Sequence, residues 1–198
     1  MSATSAMPRL ATRRAEFSGC PASLVDAIRR AVRQGGGPHR TADRVAGQLR
    51  RHLPGPEILT PAQRRGDPAG YQTHLVHAEP DGSFSIAAMV WLPGQQTPVH
   101  DHVSWCVTGV LQGAEDEEIF AVGAGGGFLA EITRRSNPAG TVTGFAPPGD
   151  IHRVRNAGGG IAVSMHVYGA DLPSLGSSIR RVYDLPVRYD LPVRAPVQ

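Results

Sequence analysis

A chain of 198 residues that is 40% hydrophobic can bury one substantial core but not several, and its 24 Gly and 17 Pro favour short strands joined by turns over a helical bundle. Its formal charge of +3 rests on scattered arginines, with no lysine, no basic face and no recognisable nucleic-acid module, so nucleic acid is not an expected partner. No apolar run approaches the ~20 residues of a spanning helix, and two cysteines without a secretory signal fit a cytoplasmic protein with both thiols reduced.

The first 18 residues are small and polar and read as a disordered tail. From Pro21, Leu24, Val25, Ile28 and Val32 recur at helical spacing until Gly35-Gly36-Gly37 stops the helix. A second helix, with Thr41 as its cap, runs through Val45, Leu49 and Leu53 to Pro54. Prolines 54, 56, 61 and 68 then mark a loop-rich crossing, so residues 19–70 form a helical segment packed on the body of the protein.

After Tyr71 the period changes to two. Strands are expected at 71–78, 84–92, 103–112, 115–122, 127–135, 141–146, 151–156 and 161–168, separated by Pro- and Gly-rich turns. That pattern predicts a mainly β protein, a single jelly-roll barrel over residues 71–185 with two N-terminal helices. Residues 183–188 and 189–194 both read YDLPVR, too few for a repeat fold, and residues 186–198 read as an exposed C-terminal arm.

Among eight histidines, His100 and His102 lie two apart, which on a strand turns both imidazoles to one face and Asp101 to the other. His152 follows the turn Pro147-Pro148-Gly149-Asp150. Gly94, His100, His102, Cys106 and Gly113, then Pro147, Gly149, His152 and Asn156, resemble the two signature motifs of the cupin superfamily, with Gly140 displaced by one residue. Cupins carry Glu, a fourth metal ligand, where this chain has Cys106. Without it three neutral imidazoles remain, and open positions suited to an anionic ligand such as a thiolate. Open sites with two His and one carboxylate are typical of non-haem Fe(II) oxygenases, but Zn(II) also accepts three His plus water, so the ligand set alone leaves zinc open.

Ser164, His166 and Tyr168 share one strand face, with Met165 and Val167 on the other. Together HDHxxW at 100–105, Leu111-Gln112-Gly113, GDIH at 149–152 and SxHxYG at 164–169 resemble the cysteine dioxygenase and 3-mercaptopropionate dioxygenase family, over residues 71–184. The resemblance implies one Fe(II) per chain on His100, His102 and His152, with a small thiol and O2 as substrates and a sulfinic acid as product. It implies a relay of Ser164, His166 and Tyr168, the tyrosine hydroxyl lying beside the bound thiol. Cys106, counted back from Leu111-Gln112-Gly113, stands where animal cysteine dioxygenases have a cysteine cross-linked to the tyrosine, here Tyr168. Counted from His102 it is one residue short, and a small buried hydrophobe is the other reading.

The resemblance also implies a pocket beginning at Tyr71. Two residues on, cysteine dioxygenases have Arg and the mercaptopropionate enzymes Gln, but this chain has Thr73. Arg181, or else Arg180, falls near the later arginine of the mercaptopropionate enzymes and is the expected carboxylate anchor. Cysteine is expected slightly ahead of 3-mercaptopropionate as substrate. The oligomeric state stays open, a monomer sufficing. The alternatives are another metallo-cupin enzyme, such as a zinc or manganese isomerase or lyase, and a non-catalytic cupin that senses a ligand.

Overall fold

The apolar stripe after Pro21 forms helix α1, Ala22–Arg33, and glycines 35, 36 and 37, all at positive φ, turn the chain into α2, Pro38–His52. These elements come from a computed structural model that describes residues 19–189; the tail expected at 1–18 and the arm beyond 189 lie outside them. α2 starts three residues before its expected cap. Pro38 takes the first helical position, where its fixed φ and missing N–H suit a helix start. Thr41 lies inside the first turn and donates its hydroxyl back to the Gly37 carbonyl at 2.8 Å. Two 3₁₀ turns, Pro56–Ile58 and Gln63–Arg65, fill the proline-rich crossing. No helix among the described residues is long and apolar enough to cross a membrane.

The strands are β1 (Gln72–Ala78), β2 (Ser85–Trp91), β3 (His100–His102), β4 (Cys106–Gln112), β5 (Ala114–Val122), β6 (Leu129–Pro138), β7 (Val142–Phe145), β8 (His152–Arg155) and β9 (Ala162–Tyr168). A single helical turn, α3 (Leu172–Leu175), leads to β10 (Ile179–Val182) and β11 (Val187–Arg188). One sheet has the order β1-β2-β9-β4-β7 and the other β10-β3-β8-β5-β6-β11. The protein is thus mainly β, a curled two-sheet half-barrel with a helical hairpin on its outside. All eight expected strands are present. The expected strand 103–112 begins only at Cys106, and the HxH pair sits on its own short strand, β3. The three unexpected strands, β3, β10 and β11, are two to four residues long, too short to show a period.

The central strands of the first sheet, β2, β9 and β4, are buried on both faces. Val107, Val142, Met165 and Val167 point outward into one apolar cluster with Leu24, Ile28, Val45 and Leu49 of the helices. The opposite side chains of β9 and β2 face the second sheet and line the cavity between the two. The first YDLPVR copy is no free arm. Tyr183, Leu185 and Val187 pack on Val99, Phe120 and Leu129, and β11 pairs in parallel with β6.

Candidate metal centre

β3 and β8 run antiparallel with His100 opposite His152, and His102 lies two residues along on the same face. The three imidazoles are 4%, 3% and 6% exposed for His100, His102 and His152, and one ring nitrogen from each lies within 4.8 Å of the others. Each ring spends its Nδ1 elsewhere. His100 Nδ1–H donates to the Pro98 carbonyl at 3.0 Å, His102 Nδ1–H to Asp150 Oδ2 at 3.2 Å and His152 Nδ1–H to Glu117 Oε1 at 2.8 Å. That tautomer leaves three Nε2 lone pairs for a cation, the usual way of orienting metal-binding histidines.

The electrostatics favour neutral ligands. Burial and the neighbouring histidines hold His100 well below the usual histidine range. Burial also brings His102 down to about 4, against the opposing pull of Asp150. Glu117 is lowered to about 2, since His152 and Arg135 together outweigh its burial, and it stays ionised as the acceptor for His152. Asp150, despite its burial, is held low by the ring and backbone N–H of His102. Asp101 faces the other way, bound by Arg180 Nη2 at 2.5 Å and the Tyr183 hydroxyl at 2.8 Å.

The three histidines open into a cavity of about 670 Å³ of empty space, its mouth included. Tyr71, Thr73, Trp91, His166 and Tyr168 contribute to its wall, and Tyr71 stacks on Trp91 with ring centroids 4.3 Å apart. The Ser164–His166–Tyr168 face does turn inward, but its connections differ from the expected relay. Ser164 Oγ meets His166 Nε2 at 2.9 Å and accepts from Trp91 Nε1 at 3.2 Å, while His166 Nδ1 meets Thr108 Oγ1 at 3.2 Å. With both ring nitrogens occupied, His166 has none for Tyr168, and the two rings stack at 5.9 Å between centroids. Tyr168 instead has Ser178 and Cys106 as its polar neighbours. Cys106 stands directly opposite Tyr168 across the β4–β9 pair, its thiol pushed far up by burial.

Neither Arg180 nor Arg181 lines the cavity, contrary to the expectation that one of them anchors a carboxylate. A register shift in the β10–β3 pair sets Ile179 opposite His102 but Arg181 opposite the outward Asp101. Arg180 is committed to Asp101, and the Arg181 guanidinium lies over the Tyr183 ring. Ser177, Ser178 and Ile179 reach the wall instead. Sequence reasoning also passed over Glu115, Glu117 and Thr108. The signal was there, since Glu115 and Glu117 alternate along β5 as inward residues do, inside an acidic run that otherwise reads as a solvated face.

A model of the family described as cysteine dioxygenase type I matches residues 63–181, more than half of the chain. The chain belongs to the cysteine dioxygenase type I family. The three-histidine cluster falls within the matched residues. Among solved structures, an oxalate oxidase in complex with glycolate is 20% identical over 53% of this chain and 53% of its own, at a TM-score of 0.43. This family member therefore spans about half the length of that relative. An RmlC-like cupin protein from Desulfovibrio desulfuricans is 24% identical over 52% of this chain and 86% of its own, with a TM-score of 0.39. A Cupin 2 conserved barrel domain protein from Salinispora arenicola is 21% identical over 56% and 83%, at 0.41.

Proposed function

We propose that the protein is an Fe(II)-dependent thiol dioxygenase, adding both atoms of O2 to the sulfur of a small thiol, cysteine first and 3-mercaptopropionate second. The observation that carries this reading is the donor set. Three neutral imidazoles converge with every Nδ1 engaged and no carboxylate among them, inside a chain of the cysteine dioxygenase family. One Fe(II) per chain fits those donors, because unneutralised divalent charge and open positions suit a thiolate. Bound there, it would supply the redox chemistry by which thiolate sulfur and dioxygen combine to a sulfinic acid.

The chain's own groups do the rest. His100, His102 and His152 hold the ion, and Glu117 and Asp150 fix the rings. The stacked Tyr71–Trp91 wall keeps bulk water off the thiol. Tyr168, with Ser178 and Cys106 beside its hydroxyl, orients the bound substrate by a hydrogen bond. A Cys106–Tyr168 thioether is compatible with their facing positions and would tune that bond. With no arginine in the cavity wall among the described residues, the hydroxyls of Thr73, Ser177 and Ser178 are the donors for a substrate carboxylate.

Oxygen uptake and sulfinate formation, measured on iron-loaded and zinc-loaded protein with a panel of small thiols, test the proposal. Turnover of cysteine or 3-mercaptopropionate with iron alone is the expected result. Full activity with zinc, or no thiol-dependent oxygen uptake with iron, overturns it.

A further inference from the structure

One buried ionisable group has no part in that mechanism. Glu115 of β5 is 1% exposed, and its Oε1 has no hydrogen-bond partner. It reaches across from the second sheet to the first, where its carboxyl lies against Ser164 and Trp91. From Ser164 a line of contacts continues through His166 Nε2 and Nδ1 to Thr108, then from Thr108 Oγ1 to Cys106 Sγ at 3.9 Å, and from Cys106 to Tyr168. The zigzag comes from register. Thr108 lies opposite His166 and Cys106 opposite Tyr168, so each pair shares the inner face of β4 and β9. We propose that Glu115 sets the tautomer of His166 and, through Thr108 and Cys106, the direction in which the Tyr168 hydroxyl donates.

Counting donors shows why. A serine hydroxyl has one proton and two lone pairs, and the Trp91 indole, which can only donate, takes one lone pair. The proton and the other lone pair are divided between Glu115 and His166, and the division has two solutions. With Glu115 ionised, Ser164 donates to it, His166 Nε2–H donates to Ser164, Thr108 donates to His166 Nδ1, Cys106 to Thr108 and Tyr168 to the Cys106 sulfur. With Glu115 protonated every bond reverses. His166 then carries its proton on Nδ1, and Cys106 donates to the Tyr168 oxygen, freeing the Tyr168 O–H for Ser178 and the cavity. The two states differ by one proton on Glu115, and every other member stays neutral. Burial supports that neutrality, pushing the Cys106 and Tyr168 acids up and holding His166 down at about 3.

The surroundings let Glu115 change state in an accessible range. Burial, reinforced by Glu117 on the same strand and opposed by Ser164 and Trp91, raises its carboxyl to about 7. Opposite it on β6 is the uncharged Asn137, and Arg155 of β8 pairs with Asp116. Ser164 and Trp91 face it from β9 and β2, with His166 one bond beyond.

The test is the imidazole ¹⁵N spectrum of ¹⁵N-histidine-labelled, zinc-loaded protein at about pH 5.5 and about pH 8.5, either side of neutrality. His166 is assigned by the signal lost in His166→Gln. The expected result is Nδ1–H at the lower pH and Nε2–H at the higher. The pH dependence should vanish in Glu115→Gln and also in Ser164→Ala, which cuts the line but leaves Glu115 titratable. One tautomer at both pH values in the unaltered protein, or a switch that persists in either variant, overturns the proposal. No turnover is needed, so the result is independent of the dioxygenase reading. Only the consequence for rate rests on that reading. The kcat profile should carry an ionisation near neutrality that Glu115→Gln lacks, and identical profiles would remove Glu115 from turnover.

Discussion

At the scale of single residues, each imidazole of the centre depends on a partner far away in the chain, and that dependence can be measured. Replacing His152 by Ala removes one of three donors, and metal binding followed by isothermal titration should fall below detection. Glu117→Gln keeps the shape of the acceptor but removes its charge. Metal affinity should drop about ten- to a hundredfold, as for other lost partners of a ligating histidine. A second pair of variants separates pocket from surface. Arg181→Ala should leave KM for cysteine within about twofold, because an exposed guanidinium over Tyr183 contributes little to a site it does not line. Tyr168→Phe removes a hydroxyl from the cavity wall, and kcat/KM should fall about ten- to a hundredfold. Steady-state kinetics of the two proteins side by side decides both points.

At the scale of elements, β9 carries the architecture. Its seven residues are all buried, Met165 and Val167 against the helical hairpin and Ser164, His166 and Tyr168 towards the cavity. The hairpin therefore acts as the outer support of the sheet that presents those polar groups. Leu49, fully buried on α2 in the same cluster as Met165 and Val167, is the sensitive point of that support. Leu49→Ala should cost about 2–5 kcal/mol in denaturant unfolding, the range for a large core truncation. The three histidines belong to the other sheet, so metal affinity should change little in the variant. The elements visible in the sequence were those with enough residues to show a period. β3 was legible through its chemistry alone, and β10 was not legible because its four residues lie on a mostly exposed edge.

At the scale of the whole molecule, buried ionisable groups tie stability to pH in two opposite directions. His166 is held at about 3 against an ordinary 6.5, so the folded state resists its protonation, and stability is lost as pH falls from 6.5 towards 3. Glu115 is raised to about 7 from 4.5, so its contribution is complete below 4.5 and is lost as pH rises through 7. Glu115→Gln should therefore match the unaltered protein near pH ~4 but exceed it by about 1–3 kcal/mol near pH ~8. Chemical denaturation of metal-free protein at the two pH values measures the difference, and equal stabilities at both would show that Glu115 is not held ionised at a cost.

The sequence by itself determined the alternation that makes the chain mainly β, the helical stripe that becomes the hairpin, the shared face of His100 and His102, and the shared face of Ser164, His166 and Tyr168. Each is a local property, written in spacings of two to four residues, and each is read from side-chain chemistry along one element. Only the tertiary structure decided what those side chains meet. His152 and Glu117 lie 35 residues apart and His102 and Asp150 lie 48 apart, while a register shift in β10 turns Arg181 away from the cavity. Period shows which face a residue occupies but not which residue faces it from the next strand. That pairing is set by register and by how two sheets curl over one another, and both depend on the packing of the whole chain.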